Sequence, residues 1–127
     1  MSGMRVKVTA TGLYTYPDVI AICGEPKFED EYVDTLLNPT LLVEVLSQAT
    51  ERYDRIAKSS YYRTLDSLAE HLLVSQGEVR LEQYIKQTNG QWLQLEHTSL
   101  DGVADLTSIG CALALRDIYD EVSLGKA

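Results

Sequence analysis

The segment Leu41-Leu-Val-Glu-Val-Leu46 sets a carboxylate fourth in a run whose other five residues are aliphatic. Its length and composition predict a fully buried strand. An ionised Glu removed from water costs on the order of several kcal/mol unless it is paired or metal-bound. Alternation puts Leu42, Glu44 and Leu46 on one face of that strand, and Leu41, Val43 and Val45 on the other. A second apolar run, Asp18-Val-Ile-Ala-Ile-Cys23, begins on an aspartate directly after Pro17. If the two runs pair, their carboxylates converge at one edge of a sheet. Like charges at close range repel, and a hard divalent cation with oxygen ligands, Mg2+ or Mn2+, is the usual resolution. Backbone carbonyls and waters would complete its shell.

Lys58 lies about two turns into a helix predicted after Thr50. Pointing back towards Glu44, its ammonium would stabilise negative charge building on a phosphate oxygen. The cation would lower the pKa of an attacking water. Asp18, Glu44 and Lys58 together would make a phosphodiester-hydrolysing site. A plainer reading stands beside this one. In it Glu44 pairs with a buried Arg or Lys, Lys58 bridges Asp54 at the i,i+4 spacing, and Asp18 is an ordinary strand-start residue. Arg52 and Arg55, on the same helix, are the candidates for phosphate contacts, with a solvated helix face as the alternative.

The elements that must position these groups follow from local pattern. Residues 5–9 alternate around Val6 and Val8 and predict a short strand. Thr11-Gly12 marks a turn, and Tyr16-Pro17 forces an extended approach to the strand at 18–23, which Gly24 and Pro26 end. Residues 24–39 are polar and acidic and predict a loop with room for one helical turn. The strand at 41–46 follows. A helix is predicted over 51–65, because Tyr53, Ile56, Ala57, Ser60, Thr64 and Leu65 form one stripe. Strands are then expected at 70–75, 79–86 and 91–97, with a hairpin turn at Asn89-Gly90. A short segment at 106–109 and a helical turn at 115–122 close the chain. The expected fold class is α/β (α+β): a mixed sheet with one main helix after the third strand. Parallel pairing across that helix needs a right-handed crossover.

Bulk properties bound the answer. A chain of 127 residues, 45% hydrophobic, fits one domain with one core. No apolar run is long enough to span a membrane, and the first residues lack the basic-then-apolar pattern of a secretory signal, so the expected location is cytoplasmic. Cys23 and Cys111 sit in apolar stretches, with no partner cysteine at metal-like spacing and no histidine close by. They are expected as buried reduced thiols, in keeping with a reducing compartment. The net charge of −8 and the absence of a Lys/Arg-rich block count against tight nonspecific DNA binding. A bound cation would nevertheless supply positive charge where a scissile phosphate sits. His71 and His97 are single histidines on predicted strands, expected in the core or facing solvent rather than on a metal. Tyr61 and Tyr62 are expected to pack the helix on the sheet, with substrate contact by one of them as the alternative.

Several ordered motifs resemble one family. They are Tyr16-Pro-Asp-Val19, Leu42-Val-Glu-Val-Leu-Ser47, Tyr53-Asp-Arg-x-x-Lys58 with Tyr61-Tyr-Arg63, and Ser67-Leu-Ala-Glu-His-Leu-Leu-Val74. Val79-Arg-Leu-Glu-Gln-Tyr84, Gly90-Gln-Trp92 and Ser108-Ile-Gly-Cys-Ala-Leu113 continue the pattern. Together they resemble the restriction endonuclease family also catalogued as domain of unknown function 820, within the PD-(D/E)XK nuclease superfamily. The resemblance implies a restriction-endonuclease-like core and Mg2+-dependent cleavage of DNA. It implies Asp18 as the aspartate of the Pro-Asp motif and Glu44 as the acidic residue of the second half-motif. Leu46 stands where the superfamily's lysine usually is. Relatives similarly carry that lysine on the next helix, the role given to Lys58.

Two departures go with the resemblance. The family's usual Ser-Pro-Ser-Thr reads Ser47-Gln-Ala-Thr50 here. Only seventeen residues precede Asp18, where family members carry a helix and early strands that often add an acidic residue to the site. The expectation is a single domain over 1–127 that lacks much of that region. A homodimer or higher oligomer would then cover the sheet face which the missing helix would bury. A catalytically silent relative acting as a binding or assembly module is the alternative function.

Overall fold

The computed structural model describes residues 5–8, 13–15, 17–29, 35–47 and 59–121. The elements in chain order are β1 (Arg5–Val8), β2 (Leu13–Thr15), β3 (Val19–Ala21), β4 (Thr35–Leu36), β5 (Leu41–Leu46), α1 (Ser59–Tyr62), β6 (Glu70–Ser75), β7 (Leu81–Lys86), β8 (Trp92–His97), β9 (Val103–Leu106), β10 (Cys111–Ala114) and α2 (Leu115–Glu121). The class is the expected one: a mixed sheet with few helices.

The principal sheet has the order β3-β5-β6-β7-β8. β5 and β6 run parallel, from Leu41 opposite Glu70 to Leu46 opposite Ser75. The β3–β5, β6–β7 and β7–β8 pairs are antiparallel. A parallel neighbour cannot be reached by a tight turn, so the chain between β5 and β6 must cross over, and α1 lies in that crossover. β7 and β8 are joined by the turn at Asn89-Gly90. There Gly90 adopts φ +85°, a conformation that a side chain would strain. The Asn89 side chain closes the turn by accepting from the Gln91 amide at 3.0 Å.

Alternation along β5 divides the interior into two layers. Leu42 and Ile20 pack with Val6, Val8 and Leu36 of the small β2-β1-β4 sheet, and with Tyr62, Leu65 and Leu68. Leu46 joins Leu73 and Tyr84. On the opposite face Leu41, Leu72, Val74 and Leu81 pack against Ala104, Leu106 and Leu115, supplied by the β9–β10 hairpin and α2. Tyr119 of α2 fastens that layer: its hydroxyl meets the Ser75 carbonyl at 2.7 Å and accepts from the Arg80 amide at 3.0 Å.

Several expectations change. Of the helix expected over 51–65, residues 51–58 lie outside the described residues. The described helix ends at Tyr62, and turns that bond Thr64 to Tyr61 and Leu65 to Tyr62 follow it. β3 is shorter than residues 18–23, because the chain bends away after Ala21. β2 and β4 are too short to leave an alternation signal, and the segment expected at 106–109 is the turn of a hairpin. Both cysteines are free but exposed, not buried. Cys23 falls past the end of β3, and Cys111 opens β10, whose first two residues face outward. Among the described residues no helix is long and apolar enough to cross a membrane.

Candidate active site

Asp18 stands one residue before β3, where that strand meets β5, with Val19 opposite Val43. Its amide donates to the Val43 carbonyl at 3.0 Å. Its Oδ2 accepts from the Val45 amide at 2.7 Å. Asp18 is thus tied to the residues immediately before and after Glu44. The two carboxylates differ sharply in exposure, since Asp18 is exposed and Glu44 is only 3% exposed. These two contacts hold Asp18, just before β3, beside the β5 segment that carries Glu44.

The burial of Glu44 has a specific counterpart. The Tyr62 hydroxyl, reaching in from α1, donates to Glu44 Oε1 at 2.6 Å. A hydrogen bond to a charged acceptor is stronger than a neutral one, and here it works away from water, where its contribution is largest. Sequence reasoning gave Tyr62 a packing role and missed this contact. The partners are separated along the chain by the crossover, and no local spacing signals it.

The same face carries a second buried acid that sequence reasoning also passed over. Glu82 of β7 is 2% exposed, and the register runs Glu44–Leu73–Glu82 across the three strands. Its Oε2 accepts from Tyr84 Oη at 2.7 Å, and Arg80 lies 3.0 Å from Oε1. The Leu81-Glu-Gln-Tyr84 stretch, with Glu82 and Tyr84 at alternate positions, was the available signal.

Between the two tyrosines sits His71. Its ring meets Tyr62 edge-on, with centroids 5.1 Å apart at 82°, and lies 6.2 Å from Tyr84. It is fully buried, and neither ring nitrogen has a hydrogen-bond partner among the described residues. Burial, and then the nearby Arg63 cation, lower its pKa from 6.5 to about 3, so the imidazole is neutral at physiological pH. Arg63 stacks over Tyr84 at 4.5 Å and stands 5.9 Å from the Trp92 ring. His97, by contrast, is half-buried and meets Gln83 Oε1 at 2.9 Å. Both histidines therefore sit in the strand framework.

Lys58, Arg52 and Arg55 lie outside the described residues. Among the described residues no group of three or more His, Cys, Asp or Glu side chains is placed to hold a metal ion. The donor chemistry of Asp18 and Glu44, hard carboxylate oxygens on adjacent strands, fits Mg2+ or Mn2+ and does not suit a soft metal.

The comparisons with known proteins bear on ancestry. Residues 1–116 match the family model described as "Uma2: Putative restriction endonuclease". The chain belongs to that family. It is 41% identical over 96 residues to "Uncharacterized protein sll1609" of Synechocystis sp. (strain ATCC 27184 / PCC 6803 / Kazusa), a match covering 76% of this chain and 54% of the relative. It is 36% identical over 118 residues to "Uncharacterized protein slr1290" of the same organism, covering 93% of this chain and 60% of that relative. The chain thus spans a little over half the length of these two relatives. Among solved structures it is similar, with a TM-score of 0.71 and 15% identity, to a "putative nuclease belonging to DUF820 from Anabaena variabilis ATCC 29413". That match covers 96% of this chain and 68% of the other. At this identity the likeness speaks for the fold, which is nuclease-like.

Proposed function

We propose that the chain is a divalent-metal-dependent DNA endonuclease domain of the PD-(D/E)XK type, hydrolysing phosphodiester bonds. The observation that carries this reading is the bracketing of buried Glu44 by Asp18, through hydrogen bonds to Val43 and Val45. Membership of a restriction endonuclease family supports it. Asp18 and Glu44 would hold the Mg2+ or Mn2+ ion. When bound, such a cation supplies positive charge at the scissile phosphate and acidifies an attacking water.

The chain's own residues do the rest. Glu44, fixed in the sheet, presents a carboxylate whose position is set by β5, while exposed Asp18 opens the site to solvent and substrate. Lys58, on the sequence reading, offsets negative charge on the phosphate oxygens, and Arg52 and Arg55 hold the DNA backbone. With a net charge of −8, affinity for DNA has to come from these local cations rather than from the surface as a whole. Assembly of the 1–127 domain as a homodimer or higher oligomer belongs to the same proposal. The test is incubation of purified protein with supercoiled plasmid and Mg2+ or Mn2+. Nicking or linearisation is expected and should disappear in Glu44→Ala; cleavage that survives in that variant sinks the reading.

A second reading, a catalytically silent nuclease-fold module, is favoured by one observation. Two carboxylates are a thin ligand set, and among the described residues no third acid joins them. Calorimetric titration separates the readings. Mn2+ binding abolished by Asp18→Ala argues for the enzyme, and no Mn2+ uptake by the wild-type chain argues for the module.

A further inference from the structure

We propose that Tyr62 is the positioning residue of the acidic centre, holding Glu44 in its working orientation through the Oη–Oε1 hydrogen bond while the buried His71 ring seats the phenol. This inference rests on the metal-site reading of Glu44. It adds a residue that the acidic motifs do not include.

Three observations carry it. Glu44 has three rotatable side-chain bonds, and its carboxylate could adopt several orientations within the face. The 2.6 Å contact from a fully buried hydroxyl selects one of them. Tyr62 is itself held: it is 0% exposed, packed in the Val6–Leu42–Leu68 core, and stacked edge-on against His71 at 82°. His71 completes the argument by its own cost. Two buried ring nitrogens without partners among the described residues are expensive, and an aliphatic side chain would avoid that expense. The flat ring instead meets Tyr62 edge-on and lies 6.2 Å from Tyr84. The arrangement matches the way ligands are oriented by outer partners in metal sites, where loss of the partner weakens metal affinity or activity by about 10–100-fold.

The experiment uses the full chain and Mn2+ alone as probe, measured by calorimetry, with plasmid cleavage in parallel. Tyr62→Phe keeps the ring and removes only the hydroxyl. Its Mn2+ dissociation constant is expected to rise about tenfold, and kcat to fall by about 10–100-fold, with KM for DNA within about twofold of wild type. A merely structural role would not produce that split. Glu44→Gln should lose Mn2+ binding, and adding Tyr62→Phe to it should cause no further loss, because the hydroxyl acts through the carboxylate. Mn2+ affinity in Tyr62→Phe within about twofold of wild type overturns the positioning role. Wild-type affinity in Glu44→Gln overturns the metal reading and the inference with it. Should Tyr62→Phe fold poorly, wild-type protein labelled at tyrosine Cζ gives a second readout. One tyrosine resonance is expected to move on Mg2+ titration in wild type and to stay fixed in Glu44→Gln; no moving resonance in wild type overturns the inference.

Discussion

The rings of Tyr62 and His71 meet edge to face at 5.1 Å, and the hydroxyl of that same tyrosine ends 2.6 Å from Glu44 Oε1. A neutral imidazole on β6, a phenol on α1 and a carboxylate on β5 thus stand in series. Tyr84 and Glu82 repeat the pattern on the other side of His71. Two acids that would be costly to bury alone are each met by a phenol donor, and the two donors share one aromatic spacer.

Glu44 should be a stability liability. Replacing a buried ion pair by apolar groups of similar volume is often neutral or stabilising by about 1–4 kcal/mol. The same desolvation argument extends to a buried carboxylate with its phenol donor. The Glu44→Leu/Tyr62→Phe double variant is therefore expected to unfold in urea at or above the wild-type midpoint. A midpoint lower by more than about 1 kcal/mol equivalent would instead make Glu44 a structural residue.

Acid should find His71. The unfolded chain takes up a proton there near pH 6.5, the folded chain only near pH 3. Neutral burial therefore contributes its full stability above pH 6.5, and that contribution is lost as pH falls towards 3. Comparing unfolding free energies at pH 8 and pH 4.5, His71→Phe should lose less on acidification than wild type, by on the order of 2 kcal/mol. Equal losses would contradict the assignment of a neutral, desolvated ring.

Bound cation should stabilise the fold. At a free Mn2+ concentration about 100 times the dissociation constant, linkage predicts about 2.7 kcal/mol. A thermal-shift titration should show Tm rising with Mn2+ in wild type and unchanged in Asp18→Ala. A rise of equal size in both would mean that Mn2+ binds elsewhere.

Ser108 should matter more than its place in a turn suggests. Its amide donates to Glu70 Oε1 at 3.0 Å, and Gln83 Nε2 reaches Glu70 Oε2 at 2.6 Å. Glu70 is fully buried, and the Ser108 hydroxyl also donates to Oε1. Ser108→Ala is expected to cost about 1.5–3 kcal/mol, the range for a hydrogen bond to a charged group. Chemical denaturation reads it, and a cost below about 0.5 kcal/mol would show that the carboxylate finds another donor.

Tyr119→Phe removes the hydroxyl that ties α2 to the β6–β7 turn. A loss of about 1–2 kcal/mol is expected, with faster amide hydrogen exchange at Arg80, whose N–H donates to that oxygen. Unchanged exchange at Arg80 would mean that the turn holds without α2.

What the sequence made legible was what depends on neighbours along the chain. β5 and β6 match the expected spans of 41–46 and 70–75, because each is built on a short aliphatic stretch, Leu41–Val43 and Leu72–Val74, too brief for a buried helix. Asn89-Gly90 declared its hairpin through the one residue that tolerates φ +85°. Glu44 stood out because a carboxylate in an apolar run is conspicuous, and Asp18 was singled out beside it by the Pro-Asp motif. The donor from Tyr62 was not, since a tyrosine on a packing face looks the same whether or not its hydroxyl has an acceptor. Cys23 and Cys111 misled for a related reason. Apolar neighbours in sequence predict burial only where another layer covers them; Cys23 lies past β3, and Cys111 and Ala112 open β10 exposed.

The parallel β5–β6 pair has a consequence for the order of folding events. The β6–β7 and β7–β8 hairpins join segments close in sequence, whereas β5 must find β6 across the whole crossover, Leu41 seeking Glu70. Loop-closure entropy has to be met before that pairing returns anything. In kinetic terms the β5–β6 pairing that sets Glu44 in the principal sheet is expected after the two hairpins. Asp18 and Glu44 are brought together by the shorter-range β3–β5 pairing, Ala21 with Leu41, so the acidic pair is expected to form before β6 docks.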